Sequence, residues 1–83
     1  MITPRFIRYL KELTIGINEG KIPNPMHFKD IVAISSSVMA YKLIYYLTEK
    51  GIMTKTEKGY EVDVKKLNEE LIYLLDLYKK GKI

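Results

Sequence analysis

The sequence predicts a mainly α-helical domain with a small β-hairpin, in the order helix, helix, turn, helix, hairpin, helix. Three observations support this order. Apolar residues recur at helical spacing in four segments. Three consecutive serines separate the second segment from the third. Two short β-prone runs flank a glycine-containing turn before the fourth segment. The 83 residues are expected to form a single domain, 1–83.

The first helix is predicted over about residues 4 to 17. Thr3 is typical of an N-cap, and Pro4 is typical of the first helical position. Asn18-Glu19-Gly20 ends the helix. Its apolar stripe has the spacing of one helical face and consists of Phe6, Leu10, Leu13 and Ile17.

The second helix is predicted over about residues 25 to 33, after a stiff connector that contains two prolines. Asn24 is the expected N-cap, and Pro25 is expected to occupy the first helical position. The side chains expected to point inward are Phe28, Ile31 and Val32.

The third helix is predicted to begin near Ser36 or Ser37, because serine favours turns and N-caps over helix interiors. It should run to Lys50 and stop at Gly51. The inward stripe is predicted to comprise Ala40, Leu43 or Ile44, and Leu47. The opposite face is predicted to comprise Ser37, Met39, Tyr41, Lys42, Tyr45 and Tyr46.

A hairpin is predicted from the runs 52–56 and 60–64, which flank Glu57-Lys58-Gly59. The fourth helix then covers about residues 64 to 80. Its apolar residues alternate three and four positions apart, which is typical of a coiled-coil seam, at Val64, Leu67, Leu71, Leu74 and Tyr78.

Composition narrows the function classes. The chain has no cysteine, so disulfides and thiolate metal sites are excluded. The sequence shows no pairing of a nucleophile with a base, no glycine-rich phosphate loop and no metal-ligand spacing. We therefore expect no enzymatic activity, no cofactor and no metal. His27, the single histidine, is expected to be an ordinary residue at a helix start.

Charge favours a polyanionic partner. The formal net charge is +4 and the pI is about 9.3. Lysine outnumbers arginine, and isoleucine and tyrosine are frequent, a bias that resembles thermophilic archaea and their viruses and plasmids. No apolar run approaches the roughly 18 to 20 residues of a bilayer span, and the N-terminus does not resemble a signal peptide, so a cytoplasmic location is expected.

The segment from Phe28 to Val64 resembles the winged helix-turn-helix family. Leu47-Thr-Glu-Lys-Gly51-Ile52 looks like the end of a recognition helix and the start of a wing strand, and Glu57-Lys58-Gly59-Tyr60 looks like the wing tip. With a helix before and after, the chain is similar to MarR- and PadR-like regulators and their small archaeal and viral relatives.

The resemblance implies that the chain binds double-stranded DNA, with its third helix in the major groove and its wing on phosphates. Arg5 and Arg8 are expected to add backbone contacts. The register around the serines stays open within one residue, so the sequence does not fix which of Ser36, Ser37, Val38 and Met39 face DNA. The residues expected to contact DNA are Ser36, Ser37, Met39, Tyr41, Lys42, Tyr45, Lys55 and Lys58.

The fourth helix carries more apolar surface than one small domain covers, which predicts a homodimer through that helix, residues 64–80. The residues expected at the interface are Leu67, Leu71, Leu74, Leu75 and Tyr78. The alternative is that these leucines pack on their own domain. The tyrosines of the third helix have a similar alternative as core residues, and the hairpin lysines as ordinary solvated charges.

Two kinds of function fit these expectations. The first is a DNA-binding transcriptional regulator, or a partition (centromere-binding) or origin-binding factor that uses the same contacts. The second is a winged helix that contacts other proteins, which a third helix rich in tyrosine and free of arginine favours. Because this helix also lacks asparagine and glutamine, direct base readout is expected to be modest.

Overall fold

The structure is a computed structural model that describes residues 2–83. This part of the chain is mainly helical and carries one small antiparallel hairpin, which confirms the predicted class. The elements in chain order are α1 (Pro4–Asn18), α2 (Phe28–Ile34), α3 (Ser37–Glu49), β1 (Met53–Thr56), β2 (Gly59–Val62) and α4 (Val64–Lys79).

Short-range capping signals define where three of the helices begin. The Thr3 hydroxyl accepts a hydrogen bond from the Phe6 amide at 3.1 Å, and Pro4 opens α1 as predicted. The Asp63 carboxylate accepts from the Lys66 amide at 3.1 Å and opens α4. Ser36 opens α3 in the same way. These bonds satisfy amides that have no partner within the helix.

The start of α2 differs from the prediction. The helix begins at Phe28, and His27 is its N-cap, with the His27 amide donating to the Asp30 carboxylate at 2.8 Å. Residue 26 is not helical because it pairs with the hairpin. The Met26 amide donates to the Tyr60 carbonyl at 2.9 Å, and the Tyr60 amide donates to the Met26 carbonyl at 2.7 Å.

Asn24, the predicted cap of α2, instead binds the hairpin. Its side-chain amide donates to the Val62 carbonyl and its side-chain oxygen accepts from the Val62 amide, both at 2.9 Å. These two bonds imitate one rung of a β-ladder. The connector before α2 therefore covers the edge of β2 that faces away from β1.

One hydrophobic core joins all four helices and the hairpin. The helices α1 and α4 pack against each other, and the amides of Asn18 and Asn68 exchange hydrogen bonds at 3.0 and 3.3 Å where α1 ends and α4 begins. The largest fully buried hydrophobic side chains are Leu10, Leu13, Met26, Ile31, Leu43, Leu47, Met53, Leu67 and Leu74.

Within residues 2–83, no single helix has the length and apolar composition of a bilayer span. The helices α2 and α3 have the length and apolar composition of a span only when they are taken together, and this pair is bent by 116°.

Candidate nucleic-acid interface

The corner between α2 and α3 sets the direction in which α3 points. The two helix axes differ by 116°, and only Ser35 and Ser36 separate the helices. The Ser35 hydroxyl donates to the Ile31 carbonyl at 2.7 Å, at the end of α2. The Ser36 hydroxyl accepts from the Met39 amide at 3.1 Å, at the start of α3. Two serines therefore end one helix and begin the next, and Ser37 is the first helical residue of α3.

The buried face of α3 includes one residue that the sequence analysis placed outside. Met39 is 8% exposed and lies in the core, so the expectation that it contacts DNA was wrong. Met39 stands four residues before Leu43 and eight before Leu47, so all three lie on one helical face. The inward stripe is rotated toward Met39, and its buried members are Met39, Ala40, Leu43 and Leu47.

The outward face of α3 is apolar and aromatic along its centre. Val38, Tyr41 and Tyr45 are 67%, 65% and 69% exposed, and their spacing of three and four residues aligns them on one face. Ser37 and Lys42 are exposed beside them. Val38 was one of the four positions between which the sequence left the DNA-facing register open, and its spacing from the two tyrosines places it on their face.

The exposed tyrosines differ in how they are held. The ring of Tyr41 lies 4.8 Å from the ring of Phe28 on α2, centroid to centroid, which fixes its direction. Tyr45 and Lys42 border a recess of about 330 Å³ whose other walls come from the start of α1 and from α3: Ile2, Thr3, Phe6 and Tyr46. The N-terminal end of α1 therefore adjoins the exposed face of α3.

Tyr46 has a structural position and does not belong to this face. Its ring packs edge-on against Phe6 at 5.1 Å, and its hydroxyl donates to the Glu70 carboxylate. Burial, together with this hydrogen bond, raises the pKa of the Tyr46 phenol far above its ordinary value of 10.0. Tyr46 therefore joins α3 to α4.

The hairpin presents two exposed lysines. Lys55 on β1 stands opposite Tyr60 on β2, with the Lys55 Nζ atom 5.7 Å from the centre of the Tyr60 ring. Lys58 lies in the turn, and its amide donates to the Thr56 hydroxyl at 3.2 Å. Both side chains are exposed.

Arg8, one of the two arginines expected to contact the DNA backbone, lies beside α4. Its guanidinium stacks over the Tyr9 ring at 5.0 Å and donates to the Tyr9 hydroxyl at 3.3 Å. Arg8 also lines a groove between α1 and α4. Arg5 is exposed on α1.

The surface of α4 differs from the predicted seam. Leu67, Leu71 and Leu74 are at most 9% exposed and pack inside their own chain. They are not available to a second copy, so the prediction that they form the dimer interface was wrong. A helical repeat shows that these leucines share a face, but it does not show what covers that face.

A smaller apolar surface stays open on α4. Ile72 and Tyr78 are 67% and 48% exposed, and Leu75 is half-buried between them. Leu75 and Tyr78 form one wall of a groove of about 210 Å³, and the start of α1 forms the other with Pro4, Ile7, Arg8 and Lys11.

Comparison of the chain with protein-family profiles, with curated proteins and with solved structures finds no match.

Proposed function

We propose that this chain is a winged helix-turn-helix protein that binds double-stranded DNA, with α3 as the recognition helix and the β1–β2 hairpin as the wing. The observation that carries the proposal is the 116° corner between α2 and α3. This angle lies within the range of about 90 to 120° that helix-turn-helix pairs adopt. The exposed face of α3 is then free to enter a major groove.

The polar residues around this face match a phosphate backbone. Ser36 is the N-cap of α3, Ser37 and Lys42 lie in its first half, and Lys55 and Lys58 lie on the hairpin; all five are exposed. Hydroxyls and lysine ammonium groups are common phosphate contacts, and the net charge of +4 favours a polyanion. In this arrangement Lys42 flanks the groove and the hairpin lysines hold the neighbouring backbone.

We further propose that the protein acts as a homodimer. The support is the open apolar surface formed by Ile72, Leu75 and Tyr78, which adjoins the groove between α1 and α4. A chain of 83 residues without disulfides gains stability from such an association. Two copies related by a twofold axis favour an inverted repeat, with half-sites one helical turn, about 34 Å, apart.

The biological role proposed for this binding is transcriptional regulation in the cytoplasm. Plasmid partition or origin binding would use the same contacts. The position of the bound site relative to a promoter distinguishes the regulator from these two roles.

A protein partner on the exposed face of α3 is the second candidate. The observation that favours it is the apolar stripe of Val38, Tyr41 and Tyr45, in a helix without arginine. Aromatic residues are enriched in protein interfaces. Lys42 and the wing lysines, which would lie at the edge of such an interface, favour DNA instead.

Fluorescence anisotropy with labelled duplex DNA tests the proposal. The logarithm of the binding constant should fall linearly with the logarithm of the salt concentration, because each phosphate that is neutralised releases counterions. A triple variant, Lys42→Ala with Lys55→Ala and Lys58→Ala, should show a shallower slope. If the protein binds no duplex even at low salt, the proposal is wrong and the protein-contact function is favoured.

A further inference from the structure

Val38 is an aliphatic side chain that the fold leaves on the surface. It follows the cap residue Ser36 by two positions, in the first turn of α3, and is 67% exposed. Its neighbours on the same face, Tyr41 and Tyr45, are exposed to a similar degree. The three side chains form a narrow apolar stripe on the helix that the proposed function places in the major groove.

The same helix has few side chains that can read purines by paired hydrogen bonds. Residues Ser37 to Glu49 include no arginine, asparagine or glutamine. Arginine or lysine binds guanine in this way, and asparagine or glutamine binds adenine, so Lys42 is the one candidate for such a contact on α3. The apolar group that a major groove offers is the C5 methyl of thymine, and small apolar side chains contact it.

The position of Val38 along α3 suits a base contact. In helix-turn-helix proteins the N-terminal residues of the recognition helix reach the base edges. Glu49, whose charge would repel phosphates, lies eleven residues further on, which is about 16 Å along the axis. Lys42, one turn after Val38, is exposed and carries the opposite charge. The first half of α3 therefore carries the exposed Val38 and Lys42 and no acidic residue.

We propose that Val38 packs against thymine C5 methyl groups, so that the protein selects its sites mainly by thymine content. This inference rests on the proposed DNA binding and assigns the feature of the DNA that is read. Tyr41, held against Phe28, supports the stripe from the adjacent turn.

Replacement of thymine by deoxyuridine tests the inference, because uracil lacks only the C5 methyl and keeps the hydrogen-bonding groups of thymine. A duplex enriched by in vitro selection is prepared in two forms, one with thymidine and one with deoxyuridine at the same positions. Each form is titrated with the wild type, with Val38→Ala and with Ile15→Ala. Ile15 is an exposed aliphatic residue on α1, 42% accessible, and serves as the matched control. Circular dichroism checks that each variant is folded.

The wild type should bind the thymine duplex more tightly, by about fourfold for each contacted methyl group. Val38→Ala should lose most of this preference, and Ile15→Ala should keep it. Equal binding of both duplexes by the wild type would overturn the inference and leave DNA binding intact. A preference that persists unchanged in Val38→Ala would overturn the assignment to Val38. Binding to neither duplex at low salt would overturn the proposed function and this inference with it.

Discussion

The phenol of Tyr46 on α3 donates a hydrogen bond to the carboxylate of Glu70 on α4. This partly buried bond joins the proposed recognition helix to the helix that carries the open apolar surface. The Tyr46 ring also packs edge-on against Phe6, so α1, α3 and α4 meet at this side chain. Tyr46 therefore connects α3 to both α1 and α4.

Loss of this bond should destabilise the protein at neutral pH. Tyr46→Phe keeps the ring and removes the hydroxyl, which should lower the free energy of unfolding by about 1 kcal/mol. Tyr73→Phe is the control, because Tyr73 lies exposed on α4. Urea denaturation measures both variants. Equal stability of Tyr46→Phe and the wild type would show that the hydrogen bond contributes nothing.

The raised pKa of Tyr46 predicts a loss of stability in alkali. Burial, and next the bond to Glu70, raises the pKa above its ordinary value of 10.0, so above that pH the unfolded chain releases a proton that the folded chain keeps. The stabilisation is present below pH 10 and is lost as the pH rises toward the folded-state pKa. The free energy of unfolding should therefore fall more steeply above pH 10 in the wild type than in Tyr46→Phe. Parallel pH profiles would contradict this.

The two apolar surfaces of α4 should respond differently to substitution. Leu67 is fully buried, so Leu67→Ala should cost about 3 kcal/mol of stability. Ile72 is exposed, so Ile72→Asp should leave the fold intact and weaken self-association. Sedimentation velocity at micromolar concentration measures the association. A wild type that sediments as a monomer would contradict the proposed dimer.

The wing lysines should contribute affinity without sequence preference. Replacing Lys55 and Lys58 together by alanine should weaken binding about equally on all duplexes and reduce the salt slope by roughly one per lost phosphate contact in each subunit. Lys79→Ala with Lys82→Ala removes the same charge from an exposed position at the end of α4 and serves as the control. If the two pairs weaken binding to the same extent, the hairpin makes no specific contact.

Gly59 should be required for the hairpin to pack on the connector. Its φ angle is +128°, and a Cβ atom built there would lie 2.5 Å from the Met26 carbonyl oxygen. Gly59→Ala should cost about 3 kcal/mol, because backbone strain adds to the clash. Gly20 also has a positive φ angle, +73°, but among the described residues nothing lies within 4 Å of a Cβ atom built there. Gly20→Ala should therefore cost only about 1 kcal/mol of stability. Thermal unfolding compares the two, and equal costs would contradict the predicted clash.

The features that the sequence predicted correctly depend on neighbours in the chain. The cap at Thr3-Pro4 and the serine turn before α3 are formed by residues within four positions of one another. Asn24 looks like an N-cap by the same local rules, but its partner is Val62, 38 residues away. No local pattern contains that contact, so the start of α2 was placed too early.

In the candidate site, too, the sequence predicted only what depends on local spacing. The spacing of Tyr41 and Tyr45 placed them on one face, and both are exposed. The structure differs from the prediction by a rotation of the helix by about one position, so that Met39 is buried and Val38 is exposed. Periodicity fixes which residues share a face, but the neighbouring helices decide which face is buried.

The most direct test of the central claim is a map of chemical-shift changes when the ¹⁵N-labelled protein is titrated with a short thymine-containing duplex. If α3 and the hairpin bind DNA, the largest changes should occur in the amides from Ser36 to Tyr45 and at the hairpin turn around Lys58. The outer surface of α4 around Lys65 and Glu69 should stay unchanged. Changes confined to the groove between α1 and α4, or no changes at low salt, would contradict the claim that α3 and the hairpin bind DNA.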